Sequence, residues 1–507
     1  MVPSFPQPAS AAAATRPIPG SYGPPLLGPL RDRLDYFWFQ GPDDFFRRRA
    51  ADHKSTVFRA NIPPTFPFFL GVDPRVVAVV DAAAFTALFD PALVDKRDVL
   101  IGPYVPSLAF TRGTRVGVYL DTQDPDHARI KAFSIDILRR AARNWAAELR
   151  AAVDDMLAAV EEDLNRAPDP AAASASYLIP LQKCIFRFLC KALVGADPAA
   201  DGLVDRFGVY ILDVWLALQL VPTQKVGVIP QPLEELLLHS FPLPSFVVKP
   251  GYDLLYRFVE KHGAAAVSIA EKEHGISKEE AINNILFVLG FNAFGGFSVF
   301  LPFLVMEVGK PGRDDLRRRL REEVRRVLGG GDGGEAGFAA VREMALVRST
   351  VYEVLRMQPP VPLQFGRARR DFVLRSHGGA AYEVGKGELL CGTSRWPCAT
   401  RRCSTGRRSS CRRGSSATTA RRCCSTCTGP TGRRPASRRR GTNMCRQGGG
   451  RRHRVHARRR AFPAVRRLRM RRHLLHQARQ AGAHSQLSFA AAILSLDLHA
   501  HMHEEIN

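Results

Sequence analysis

Three groups of side chains in this sequence have the types and spacing that chemistry needs. Glu353 and Arg356 stand three residues apart, so a helix places a carboxylate and a guanidinium on one face, close enough to pair. His127 and Lys131 stand four apart in Pro125-Asp126-His127-Ala-Arg-Ile-Lys131, a spacing that aims an imidazole and an ammonium at one anionic ligand. Cys423, Cys424, Cys427, His453 and His456 are metal-ligand types, but no pair of Cys-x-x-Cys knuckles repeats at zinc-site spacing. Each group also has an ordinary reading: solvated surface charge for the first two, scattered residues of a polar segment for the third.

The elements that must position these groups follow from hydrophobic spacing. Between Asp126 and Asp163, Ile130, Phe133, Ile137 and Leu138 lie on one helical face, and Ala146, Leu149, Val153, Met156, Leu157 and Val160 continue it. The same spacing predicts helices over Tyr177–Val194, Leu203–Leu220, Tyr252–His274, Lys278–Val308, Arg313–Leu328 and Val341–Met357. Strand-like content is confined to Val57–Ala60, Phe68–Val80 and Phe365–Leu390. Pro17-Ile-Pro19-Gly20 and Gly23-Pro24-Pro25 predict an extended lead-in. The expected fold is mainly α with a minor β-sheet, one large unit without internal repeats.

Ile285–Val305 is the most unusual segment, 21 residues without a charge and with only Asn292 and Ser298 as polar side chains. Its length suits a membrane span. Gly290, Gly295 and Gly296 near its centre, Pro302 near its end and its isolation favour the buried axis of a large fold instead. Glycines at mid-helix cost about 1 kcal/mol each relative to Ala, so these imply that something large approaches the backbone.

Charge divides the chain. Of the 507 residues, those from 393 to 507 carry 27 Arg, no Lys and three acids, a net +24 of the total +25. The first 392 residues are left with +1. Seven of the ten Cys and eight of the fourteen His also follow Gly392. Two chemically different texts therefore share one chain, and the predicted divisions are a short acid-free extension over 1–16, a folded body over 17–392 and an Arg/Cys-rich tail over 393–507.

In this order, the segments of the body resemble the cytochromes P-450 of plants that metabolise fatty-acid hydroperoxides. The resemblance is carried by the Pro-rich lead-in, Asp95-Lys96-Arg97-Asp98, Pro125-x-His127-x-x-x-Lys131, Gly290-Phe-Asn292-Ala-Phe-Gly295-Gly296-Phe-Ser298-Val-Phe-Leu-Pro302 and Glu353-x-x-Arg356. It covers roughly residues 17–392 and implies a cytochrome P-450-like fold with haem b. Oxygen-activating relatives place an acid–alcohol pair at mid-helix, whereas this chain has Asn292-Ala-Phe-Gly-Gly-Phe. An enzyme fed a hydroperoxide needs no dioxygen, reductase or proton relay. The resemblance implies that Asn292 holds the hydroperoxide, and that Phe291, Phe294, Phe297 and Ser298 shape the chamber around the lipid. It further implies that Lys96, His127 and Lys131 meet the haem edge or its propionates, with Glu353 and Arg356 bracing that side of the core. The run Phe297-Ser298-Val-Phe-Leu-Pro is similar to hydroperoxide lyases, which cleave 13-hydroperoxides of linolenic or linoleic acid to a six-carbon aldehyde and an oxo-acid; allene oxide synthases commonly carry Lys where Ser298 stands. The resemblance also implies a chloroplast location, peripheral to membrane.

The tail departs from the family. After Leu389-Leu390-Cys391-Gly392 the family continues Tyr-Gln-Pro-Leu-Ala-Met and later places its thiolate ligand in Asn-Lys-Gln-Cys-Ala; neither is present. One missing base after the Gly392 codon converts the expected run into Thr393-Ser-Arg-Trp-Pro-Cys, under permitted codons. Arg472-His-Leu-Leu-His-Gln-Ala-Arg-Gln-Ala-Gly482 rephases to Gly-Thr-Ser-Phe-Thr-Lys-Leu-Asp-Lys-Arg-Glu, in keeping with a family C-terminus. A shifted frame thus explains the tail better than an RNA-binding arm, which would not be wholly without Lys, or a metal module. Cys445, in Thr442-Asn-Met-Cys445-Arg, lies near the expected ligand position without the family loop around it. The expectations are a disordered tail, no nucleic-acid partner, poor haem binding and an inactive enzyme; an active lyase or allene oxide synthase is the alternative.

Overall fold

A computed structural model of the chain describes residues 15–64, 69, 71–166, 174–223, 225, 230–242, 244–329 and 337–394, together with the strand 469–471. The fold is mainly helical with small sheets, as the hydrophobic spacing requires. Nine strands are described: β1 (Val57–Asn61), β2 (Arg75–Val79), β3 (Val94–Asp95), β4 (Ser174–Ser176), β5 (Leu363–Ala368), β6 (Phe372–Arg375), β7 (Ala381–Val384), β8 (Leu389–Thr393) and β9 (Arg469–Arg471). One sheet has the order β1-β2-β8-β5-β3, with β2 and β8 parallel and the other neighbours antiparallel. β6 pairs with β7, and β4 with β9.

Alternation along the central strands builds two apolar faces. Phe58, Val76, Ala78 and Cys391 meet the aromatics Tyr36, Phe37, Phe45 and Phe46 on one side. Val57, Val77, Val79 and Leu390 meet Ile18, Leu88 and Val384 on the other. The Pro-rich lead-in lacks regular structure over 17–23, with Arg16 bridging to Tyr382, but residues 24–26 form a turn that opens the helix Leu27–Leu34 instead of continuing it.

The apolar segment forms the axis of the helical core. Lys278–Phe287, a π-helical turn over Val288–Gly295 and Gly296–Gly309 run on as one helix of 32 residues, most of its apolar length buried. Gly290 meets the Leu203–Leu220 region: a Cβ there would stand 2.4 Å from Trp215 Cζ3. At Gly295 it would stand 3.0 Å from Leu216 Cδ2, while at Gly296 it would meet nothing within 4 Å. The close approach expected at the paired glycines is therefore made by Gly290 and Gly295, and a tryptophan makes the closer one.

Several predicted boundaries change. The helical spacing from Asp126 to Asp163 is carried by two helices, Pro125–Ala141 and Trp145–Asn165, separated by a 3-10 turn. Tyr252–His274 is likewise split at Gly263, and Val341–Met357 at Met344. Hydrophobic spacing passes through such breaks because one apolar face can be supplied by two helices packed on the same core. The strand expected over Phe68–Val80 shrinks to Arg75–Val79. Helices Leu27–Leu34 and Pro42–Asp52 were not anticipated. Most of the 1–16 extension and of the tail whose disorder was expected lie outside the described residues; of the tail, 393–394 complete the last central strand and the turn after it, and Arg469–Arg471 pair with Ser174–Ser176. Backbone pairing makes few demands on side-chain identity, so even this Arg-rich text can complete a strand ladder.

Gly290→Ala should lower stability by about 1–3 kcal/mol through overpacking against Trp215. Gly296→Ala should be neutral or stabilising, because its Cβ enters open space and Ala favours helix. Urea unfolding of the two variants checks the contrast.

Candidate functional site

The π-helical turn sits at the middle of the axial helix, and polar locks fix how that helix is rotated. Tyr252 donates to Asn283 Oδ1 at 2.6 Å, and the Gly117 backbone N–H donates to Asn284 Oδ1 at 2.8 Å. Both asparagines are buried, so each lock holds a group that would otherwise lose its hydrogen bonds. With Gly290 against Trp215, this rotation leaves Asn292 exposed in the π-turn and Phe291 half-buried beside it. π-turns of this kind frequently mark functional positions.

The three phenylalanines expected to shape the chamber belong to one packed cluster but differ in burial. Phe294 is fully buried and Phe297 is 5% exposed, both within the helical core; Phe291 alone borders Asn292 as a partly open ring, 6.4 Å from Phe287. Ser298 is half-buried, and its hydroxyl has no hydrogen-bond partner.

The basic residues gather near the sheet edge around a carboxylate that sequence reasoning missed. Asp121 accepts from the Lys96 backbone N–H at 3.1 Å and from the Arg369 guanidinium. Burial opposes its charge, but the hydrogen bonds from Arg369 and Lys96 outweigh that and hold the carboxyl at about 2. The Lys96 ammonium donates to the Phe365 carbonyl of β5 at 2.7 Å. His127 is half-buried at the start of Pro125–Ala141; burial and the Lys131 ammonium push its pKa down, with Asp121 and Asp124 pulling partly the other way. His127 is thus held toward its neutral form, next to a cation.

Glu353 and Arg356 do pair. Arg356 Nε and Nη2 reach the two carboxylate oxygens at 2.8 Å each, a bidentate geometry. Their helix, Ala345–Met357, is seated by Glu323, whose carboxylate accepts from the Leu346 and Val347 N–H groups at 2.9 and 2.8 Å. An acid near the N-terminus of a helix stabilises it, but one twenty-odd residues away gives no local sequence signal.

Comparison with known proteins decides the family. A linolenate hydroperoxide lyase of Arabidopsis thaliana, chloroplastic, is 52% identical over 377 residues, covering 74% of this chain and 75% of that protein. The chain belongs to the cytochrome P-450 family, in the branch of hydroperoxide lyases and allene oxide synthases. The family pattern described as cytochrome P-450 matches residues 313–387. A chloroplastic fatty acid hydroperoxide lyase of Solanum lycopersicum is 49% identical, covering 76% of this chain and 79% of that one. An Arabidopsis relative named as a probable inactive linolenate hydroperoxide lyase is also 49% identical, over 59% of this chain and 76% of its own length. Among solved structures, a mutant haem domain of cytochrome P-450DA superposes with a TM-score of 0.54 at 13% identity, covering 76% of this chain and 79% of that one, which supports the fold.

The family implies haem with a Cys thiolate as iron ligand. The described cysteines do not fit that role. Cys184 and Cys190 lie in the helical core and Cys391 lies inside the sheet, all three buried. Burial pushes the Cys184 thiol up to about 12, and pushes Cys190 and Cys391 up as well. A thiol kept protonated in an apolar core is not a metal ligand. Among the described residues no cluster of three His, Cys, Asp or Glu could hold a metal ion. Cys445 lies outside the described residues.

Asp121→Ala should cost about 1–3 kcal/mol, because Arg369, though still bonded to the Pro91 and Val94 carbonyls, loses its buried carboxylate partner and the Lys96 N–H loses its acceptor. The depressed carboxyl stabilises the fold fully above its unfolded value of about 4 and loses that contribution as pH falls through about 2. Acid unfolding of the wild type should show this loss, and Asp121→Asn should lack it.

Proposed function

We propose that this chain derives from the fatty-acid hydroperoxide lyases of oxylipin synthesis and is inactive in the form encoded here. The reaction of its body is the cleavage of 13-hydroperoxides of linolenic or linoleic acid to a six-carbon aldehyde and an oxo-acid, without reductase or dioxygen. In this reading Asn292 hydrogen-bonds the hydroperoxide, and Phe291 and Ser298 border the acyl chain, with Phe294 and Phe297 supporting them from the core. Lys96, His127 and Lys131 serve the haem edge, and Glu353 with Arg356 braces the core beneath it.

Inactivity rests on one observation: the only described thiols are buried and protonated, while the sequence changes character inside the last strand before the expected ligand loop. That strand, β8, keeps its register through Gly392 opposite Gln364 and Thr393 opposite Leu363. The body over 17–392 and a frame-shifted tail over 393–507 fit this junction. The family match ending at residue 387 and the 377-residue length of the lyase alignment support it.

The purified chain should give no thiolate–haem band in a reduced CO-difference spectrum and no aldehyde from a 13-hydroperoxide. Inserting one base after the Gly392 codon and a second upstream of the Arg472 codon should restore both, because the runs at Gly392 and at Arg472 rephase by one and by two bases. A normal band from the unaltered chain overturns the reading, and ketols in place of aldehyde from the restored chain would make the body an allene oxide synthase.

The chloroplastic relatives favour a plastid location, and one surface favours peripheral membrane contact. Leu26, Leu27, Phe39, Leu236, Leu237 and Phe246 are exposed, Phe39 and Phe246 each by 71%. Arg33 ties the two groups of residues through Glu235 at 2.9 Å, and the Phe37 ring stacks on His239 at 4.1 Å. Exposed Arg31, with Lys225 over the Trp38 ring, gives this apolar face a cationic rim suited to anionic lipid. Replacing Leu236 and Leu237 by Ser should abolish most co-flotation with phosphatidylglycerol-containing vesicles; unchanged flotation would reject this surface.

A further inference from the structure

The helix Gly202–Leu220, against which Gly290 packs, is pinned at two further glycines. A Cβ at Gly208 would stand 2.4 Å from Phe186 Cε1, and one at Gly251 would stand 2.8 Å from Ile211 Cγ2. Val204, Leu212, Trp215 and Leu218 fill the inward face and are fully buried. With rotation fixed in this way, Leu203, Phe207, Tyr210 and Val214 are left facing outward, between 41% and 56% exposed. Their offsets of four, three and four residues keep all four within about 60° of one another around the helix axis. That is the seam through which two helices interdigitate.

The two edges of the seam differ. On one edge Ile211 is taken up by Gly251 of the helix Ser245–His262. On the other stand Arg206 and Asp213, both exposed, and among the described residues neither forms an ion pair. Gln182 Nε2 donates to the two Asp213 oxygens at 3.0 and 3.3 Å, which steadies the carboxylate and leaves it further acceptor capacity. Burial pushes the Asp213 carboxyl up to about 6, with only the Gln182 bond pulling the other way. No cation of its own chain offsets that cost.

The pattern identifies what would cover the seam. Four-three-four reads the same from either end, so two antiparallel copies related by a two-fold axis set Leu203 opposite the partner's Val214 and Phe207 opposite the partner's Tyr210. Arg206 falls between Leu203 and Phe207, and Asp213 between Tyr210 and Val214, on one edge. The same axis therefore brings Arg206 to the partner's Asp213, and does so twice. A parallel pairing would set Arg206 beside an apolar position and leave both charges without a partner.

We propose that this helix pairs antiparallel with the same helix of a second copy of the chain, through the Leu203–Val214 seam and two symmetric Arg206–Asp213 ion pairs. Four apolar side chains on each side make less than a standard interface, so the dimer forms with a Kd of about 10–100 µM.

Sedimentation velocity of the full chain tests it. The wild type should pass from monomer to dimer across that range. Arg206→Asp and Asp213→Arg each place two like-charge pairs across the axis and should each weaken self-association at least about tenfold. Mixed one to one, the two variants carry opposite charges at both contacts and should dimerise as the wild type does. Circular dichroism matching the wild type reports that each variant is folded. A wild type that stays monomeric through the range, undiminished self-association in either variant, or no recovery on mixing overturns the pairing. Replacement of Phe207 and Tyr210 by Ser that lowers vesicle co-flotation and leaves sedimentation unchanged would assign the seam to lipid and overturn it as well.

Discussion

The contact between the Gly290 backbone and the Trp215 indole governs how the axial helix sits. No side chain fits between them, so the helix approaches its neighbour to a distance that only glycine allows. Trp215 is held in turn by Phe287, Tyr252 and Phe110, all in edge-on geometry. Asn283 and Asn284 prevent rotation one to two turns away, through Tyr252 and Gly117. Position and rotation are thereby fixed by an apolar and a polar constraint acting together. The consequence is local and chemical: Phe294 and Phe297 are buried in the core, Phe291 packs against it half-buried, and Asn292 is exposed.

A second centre organises the charges. Asp121 gathers the Lys96 backbone and the Arg369 guanidinium, and Lys96 reaches on to the β5 carbonyl. Residues that the family would use at a haem edge are therefore also fasteners between a loop and the sheet. His127 stands on the next helix, kept toward neutrality by burial and by Lys131. Removing the central carboxylate would disturb several cations at once, which gives Asp121 a reach that its position in the sequence does not advertise.

The junction at Gly392 is a chemical discontinuity carried on continuous structure. β8 lies between β2 and β5, and Gly392 is so closely packed that a Cβ would stand 2.3 Å from Leu88 Cδ1. Thr393, the first residue of the altered text, still occupies its place in the ladder and is buried. The hydrogen-bonded backbone accepts the change because a ladder reads amides and carbonyls. A thiolate ligand is a different demand, since it needs one side chain in one electrostatic setting, and the buried thiols at 184, 190 and 391 do not meet it.

The sequence by itself determined the mainly helical class, the buried axial helix, the Glu353–Arg356 pair and the division at Gly392. These are properties of spacing and composition, which are local or nearly so. Helix breaks at Gly263 and Met344 were not legible, because two helices on one core preserve the same apolar periodicity as one. Only the tertiary structure decided that Phe291 stays half-buried where Phe294 and Phe297 are buried, that Trp215 fills the space beside Gly290, and that Asp121, Lys96 and Arg369 meet. The last are partners 25 and 248 residues apart along the chain. A hydrogen bond between such groups depends on how separate elements pack, and no periodicity within either element records it.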